Sequence, residues 1–95
     1  MTDTRSNWTF LTNHAHVLLR IAQDPDCRLR DIADGVGITE RAVHRIVSDL
    51  IEAGFVDVRR DGRCNVYVTH PEKNLRHPME EHRQVADLIR LIDRG

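Results

Sequence analysis

Cysteine is nearly missing from this 95-residue sequence. Cys27 and Cys64 stand alone, too few for a disulfide scaffold. No apolar run approaches the roughly 20 residues that span a bilayer, so no membrane partner is expected. The opening MTDTRSNWTF lacks the basic and apolar blocks of a secretory leader, which makes the cytoplasm the expected location. There is no glycine-rich phosphate loop, no nucleophile elbow and no carboxylate pair in an evident cleft, so an enzyme is not expected. Six histidines are present, but no CxC, CxxC or HxxxH pair; no metal and no cofactor are expected. A strong charge of either sign is lacking as well. The net charge is −1, and Lys73 is the one lysine among 14 basic residues. That balance argues against wholesale electrostatic attachment to nucleic acid. A DNA reader of this charge must gather its arginines on one face.

What is there is concentrated in residues 29–48, LRDIADGVGITERAVHRIVS. Ile32, Val36, Ile38, Val43 and Ile46 are apolar at the intervals of two packed helices. Ala33 stands where the helices come closest, and Gly37 where the chain turns and a left-handed backbone costs glycine little. Thr39 can cap a second helix, with Glu40 in its first turn, favourably placed for the helix dipole. The spacing predicts helices over about 30–35 and 39–53. Val43, Ile46, Val47 and Leu50 form the inward stripe of the second, and Gly54 stops it.

The flanks complete one domain over 1–95. Residues 1–7 form a frayed polar arm, 8–70 the core unit, and 78–94 a C-terminal helix. Trp8, Phe10 and Leu11 lead into a helix capped by Thr12 or Asn13, striped by Ala15, Leu18, Ile21 and Ala22 with Val17 and Leu19 beside them, and ended by Asp24-Pro25-Asp26. Cys27-Arg28-Leu29 is a short link or minor strand. FVDVRR and NVYVT read as a hairpin over 55–69 around Asp61-Gly62. An odd-length loop pairing Val56 with Val68 and Val58 with Val66 gives one apolar face, leaving Asp57, Arg59, Asn65 and Tyr67 on the other. HPEKNLRH is a polar connector. Pro78 then suits the first turn of a last helix with Glu80 and Glu81 near its start. Its stripe is Val85, Leu88, Ile89 and Ile92, extended by Met79, His82 and Leu91.

Helix, short strand, helix, helix, hairpin, helix is the order of a winged helix-turn-helix. The expected class is mainly α with a small β-hairpin: about four helices and a two- to three-stranded wing sheet. From about residue 8 to 70 the sequence resembles MarR-type bacterial transcription regulators and their winged-helix relatives, including ArsR-type proteins. The segments that carry the likeness are HVLLRIAQ, LRDIADGVGITERAVHRIVSDLIEAGFV and VRRDGRCNVYVT. MarR-type proteins usually have longer flanking helices; here a short arm and one C-terminal helix are expected. The resemblance implies binding to double-stranded DNA, with helix 39–53 in the major groove and hairpin 55–69 as the wing.

Thr39, Glu40, Arg41, His44, Arg45 and Ser48 lie off the inward stripe and cluster in the helix half that reaches base edges. Arg41 or Arg45 suits a two-pronged contact to guanine, and His44 a base acceptor. Ser48 suits a phosphate. In the wing, Arg59, Arg60 and Arg63, with Asn65, suit phosphate contact, as do Arg28 and Arg30. Residues 28–65 hold seven arginines and seven acids, so Asp31, Asp34, Asp49, Glu52 and Asp57 must point away from the DNA. Two-fold symmetry matches palindromic operators, so a homodimer through Val85, Leu88, Ile89 and Ile92, joined by Trp8 and Phe10, is expected. Two rivals stand beside this reading. One is a winged helix used as a protein-interaction module without specific DNA binding. The other is a thiol- or metal-responsive regulator, although Cys27 and Cys64 lie too far apart in the predicted fold to bridge within one chain.

Overall fold

The computed structural model describes residues 8–26 and 28–93. The elements run α1 (Asn13–Gln23), α2 (Leu29–Val36), α3 (Glu40–Glu52), β1 (Val56–Asp61), β2 (Cys64–Thr69) and α4 (Val85–Ile92). These are four helices and an antiparallel two-stranded hairpin, the winged helix that the sequence predicts.

Local signals fix the first three helices. The Thr12 hydroxyl accepts from the Ala15 N–H at 3.2 Å, and the Thr39 hydroxyl from the Ala42 N–H at 3.1 Å. Each satisfies one of the orphan donors at its helix start. Between α2 and α3 the chain turns at Gly37, whose φ of 88° is left-handed. The Ala33 carbonyl there accepts from both Gly37 and Ile38, closing the end of α2. Gly54, with φ 85°, ends α3 in the same manner, and Phe55 N–H donates back to the Leu50 carbonyl.

The core sits where these helices meet the base of the hairpin. Ile21, Ile32, Val17, Val43, Val56 and Val85 are its largest fully buried side chains. Ala33 is buried in this core, as its size suggests. Gly35, two residues on, has a different reason to lack a side chain. The Arg20 side chain of α1 crosses α2 there, and a Cβ on Gly35 would stand 2.9 Å from Arg20 Nε.

Two expectations are corrected. The hairpin pairs Val56 with Thr69, Val58 with Tyr67, and Asp61 with Cys64, not Val56 with Val68 and Val58 with Val66. The turn is therefore a two-residue loop at Gly62-Arg63, placed one residue later than Asp61-Gly62. Gly62 has φ 65°, at the first central position, where a type II′ hairpin turn takes glycine. The slip turns Tyr67 inward, where it is buried with Val56, and leaves Val66 and Val68 half-buried on the other face opposite Arg59 and Asp57. Burying one large ring outweighs the tidier alternation of four valines.

The second correction concerns the C-terminus. The last helix starts at Val85, not at Pro78. Residues 70–84 instead form a string of turns in which Asn74 pairs with Gln84. Leu75 N–H donates to the Arg83 carbonyl, Val85 N–H to that of Lys73, and Ala86 N–H to that of Pro71. The Met79 amide is taken by His77 Nδ1, and the Glu80 amide by the His77 carbonyl. Those bonds hold Pro78 in a turn instead of a first helical residue. α4 is opened by a capping box: the Asp87 carboxylate accepts from the Gln84 N–H at 2.9 Å, and the Gln84 side chain from the Asp87 amide. Among the described residues the sheet has two strands, and the 24–28 link meets it through one bond, from Tyr67 N–H to the Pro25 carbonyl. Cys27, the centre of the expected minor strand, lies outside the described residues, as do 1–7 and the last residue of the expected helix, Arg94.

Candidate nucleic-acid interface

α3 is held on three sides. α1 and α2 pack against its inward stripe, and β1 follows it directly. Val43, Ile46, Val47 and Leu50 are buried, so the rest of the helix is presented outward. Thr39, Glu40, Arg41, His44, Arg45 and Ser48 are all exposed. Among the described residues, neither Arg41 nor Arg45 makes an ion pair, so their guanidinium donors are free for a ligand.

The wing starts at Val56, four residues after α3 ends. Arg59, Arg60, Arg63 and Asn65 are exposed along it, and none of the three arginines is ion-paired among the described residues. Arg60 lies opposite Asn65 across the ladder, whereas Arg59 lies opposite Val66. The corrected register thus separates Arg59 from Asn65, expected on one face, and joins Asn65 to Arg60. Arg63 is the second residue of the turn itself. Arg28 and Arg30, at the start of α2, are exposed too.

The acids are the second part of the site, and two of them have partners that the sequence did not reveal. Asp49, on α3, lies 2.9 Å from His14 Nε2 of α1. Asp57, on β1, lies 2.9 Å from His70 Nε2, whose Nδ1 is 3.5 Å from Glu72. Each histidine holds a carboxylate that would otherwise stand free beside the arginines. The partners are 35 and 13 residues apart in sequence, and no local spacing signals such a pairing. Asp31, Asp34 and Glu52 are exposed.

The expected dimer contacts divide. Val85 is 1% exposed and belongs to the domain's own core, so it is not available to a second chain. Leu88 and Ile89 are half-buried, and Ile89 packs on the core. Ile92 and Leu91 are exposed on the short α4. Met79 and His82, expected on the same stripe, sit in the turns before it. Trp8 and Phe10 make an edge-to-face pair at 5.2 Å and remain exposed, Phe10 by 93%. Phe10 and Leu88 flank an open groove of about 940 Å³ that runs between α1, the end of α3 and the 75–80 turns.

Cys64 is exposed at the start of β2, opposite Asp61. Among the described residues no group of three histidines, cysteines or acids is placed to hold a metal ion, and no helix is long and apolar enough to cross a membrane.

Comparison with known proteins agrees with this fold. Among solved structures, the fold is similar to the crystal structure of ZitR, a zinc-responsive MarR family member of Lactococcus lactis. The two are 20% identical with a TM-score of 0.54, over 74% of this chain and 50% of that one. This chain therefore spans about half of the length of that regulator. No match is found among curated proteins. The sequence profile of the MarR family matches residues 9–63, from the arm through α1, α2 and α3 to the tip of the wing. That match takes in more than half of the chain: it belongs to the MarR family of winged-helix transcription regulators.

Proposed function

We propose that this chain binds double-stranded DNA sequence-specifically, with α3 in the major groove and the β1–β2 hairpin as a wing on the adjacent backbone. One observation carries the proposal. The outward face of α3 and the wing present five arginines that no acid of the described chain engages, although acids are as numerous as arginines over 28–65. Free guanidinium groups beside tethered carboxylates suit an anionic, base-bearing partner. Arg41 and Arg45 are assigned base contacts, each worth about 1–3 kcal/mol of discrimination. His44 and Thr39 lie beside them, Glu40 accepts from a cytosine or orients an arginine, and Ser48 donates to phosphate. Arg59, Arg60, Arg63 and Asn65 are assigned to the backbone or minor groove at the wing, and Arg28 and Arg30 to phosphates at the start of α2.

One domain of this size covers a small stretch of DNA, so tight specific binding requires two copies. The exposed apolar side chains Trp8, Phe10 and Ile92, with Leu88 and Ile89 beside them, suit pairing of two chains about a two-fold axis. Analytical ultracentrifugation at micromolar concentration is expected to give a dimer, and a monomer would remove that part of the proposal.

The test of function is a selection of duplexes from random DNA, followed by titration of the selected duplex at several salt concentrations. Specific binding that weakens steeply with salt, and that falls at least tenfold in Arg41→Ala and in Arg45→Ala, is expected. A winged helix that docks only proteins would select nothing and lose nothing on those substitutions.

A further inference from the structure

We infer that His14 is a positioning residue for DNA binding: by holding Asp49 against α1, it keeps that carboxylate off Arg45. The inference rests on the proposed placement of α3 in the groove. Asp49 follows Arg45 by four residues on the same helix, the spacing at which opposite charges meet. An Arg–Asp pair at that spacing is open to an isolated helix, and it is not made here. Asp49 Oδ2 instead meets His14 Nε2 at 2.9 Å, and Arg45 has no ion-pair partner among the described residues. A carboxylate only accepts, so Nε2 carries the hydrogen and donates it. His14 stands in the first turn of α1, whose neighbour Thr12 caps the helix, and α1 packs directly on α3. The packing that places the reader helix therefore also places the helix that carries His14. About half of each side chain is exposed, so the bond adds little to stability. Its effect is on which partner the carboxylate takes. Without His14, Asp49 turns to Arg45, occupying guanidinium donors and bringing a negative charge nearer to the DNA.

The experiment has two readouts. In the DNA-free protein, the Arg45 Nε–H resonance is followed by NMR. His14→Ala is expected to shift it, and His14→Ala with Asp49→Asn to return it toward its original position. Titration with the duplex selected by the unmodified chain gives the second readout. His14→Ala is expected to weaken binding about threefold per protomer, in line with an exposed ion pair competing for one arginine. His14→Ala with Asp49→Asn is expected to recover it, as is His14→Gln, which still donates to Asp49. A merely structural role for His14 would lower the unfolding temperature and would not be rescued at Asp49. An unmoved Arg45 resonance, or a loss of affinity that Asp49→Asn fails to rescue, overturns the inference. Arg45→Ala separates this from the wider proposal: if it leaves DNA binding intact, the placement of α3 is wrong, and the inference falls with it.

Discussion

Two segments of similar length, the helix-turn-helix of residues 29–54 and the C-terminal segment of residues 70–93, are built on opposite principles. In the first, almost every decision is local. Thr39 caps from three residues away, Gly37 and Gly54 supply the left-handed turns, and the apolar stripe repeats every three or four residues. In the second, the decisive bonds join residues eight to fifteen apart: Leu75 to Arg83, Val85 to Lys73, and Ala86 to Pro71. The first segment could be read as a helix pair by inspection. The second invited a long helix from Pro78 and is instead a set of turns closed onto a short one. Residues with good helix signals yielded to backbone pairing that sequence spacing does not display.

The comparison breaks most sharply in the core. Ile32→Ala in α2 is expected to cost about 3 kcal/mol, because a fully buried branched side chain is lost and a cavity remains. Val85→Ala should cost roughly 2 kcal/mol, since Val85 is as deeply buried although its helix has eight residues. Urea unfolding followed by far-ultraviolet circular dichroism is expected to stay a single transition in both variants. A separate early transition in Val85→Ala would show that the C-terminal segment folds apart from the helix-turn-helix.

A smaller effect tests the local character of the first segment. Gly37→Ala places a Cβ in open space, so the only penalty is the left-handed backbone, about 1 kcal/mol. Thermal unfolding should register it. A neutral outcome would mean that the turn relaxes and that Gly37 does not determine the α2–α3 angle.

The smallest effect belongs to the cap of α4. The Gln84 N–H bond to Asp87, helped by Arg90 whose guanidinium lies 2.5 Å from the other oxygen, holds the Asp87 carboxyl below its ordinary 3.8. A folded-state value below the unfolded one means that the cap contributes in full above about pH 3.8 and is lost as the pH falls through the lower folded value. The Gln84 amide resonance should therefore titrate at a midpoint lower than that of an ordinary aspartate. A midpoint at the ordinary value would mean that the capping box does not persist in solution.

Legibility of the interface follows the same division. The outward residues of α3 were readable because a helix with a known inward stripe leaves the remainder outside by geometry. The wing was readable as a hairpin but not in register, since Gly62 suits either of two neighbouring turns and only the burial of Tyr67 selects one. The histidine–carboxylate pairs were not readable at all. Asp49 and Asp57 entered as acids that had to be directed away from DNA, and the partners that tether them come from α1 and from the 70–72 turn.

The sequence by itself determined the caps, the glycine turns, the buried stripes and the set of arginines able to face outward. Each follows from interactions within one or two helical turns, where spacing and geometry are the same thing. Tertiary structure alone decided the hairpin register, the start of α4, the withdrawal of Val85 into the core and the partners of Asp49 and Asp57. Each of these is a competition between contacts distant in the chain, and such a competition is resolved only when the whole core closes around one arrangement.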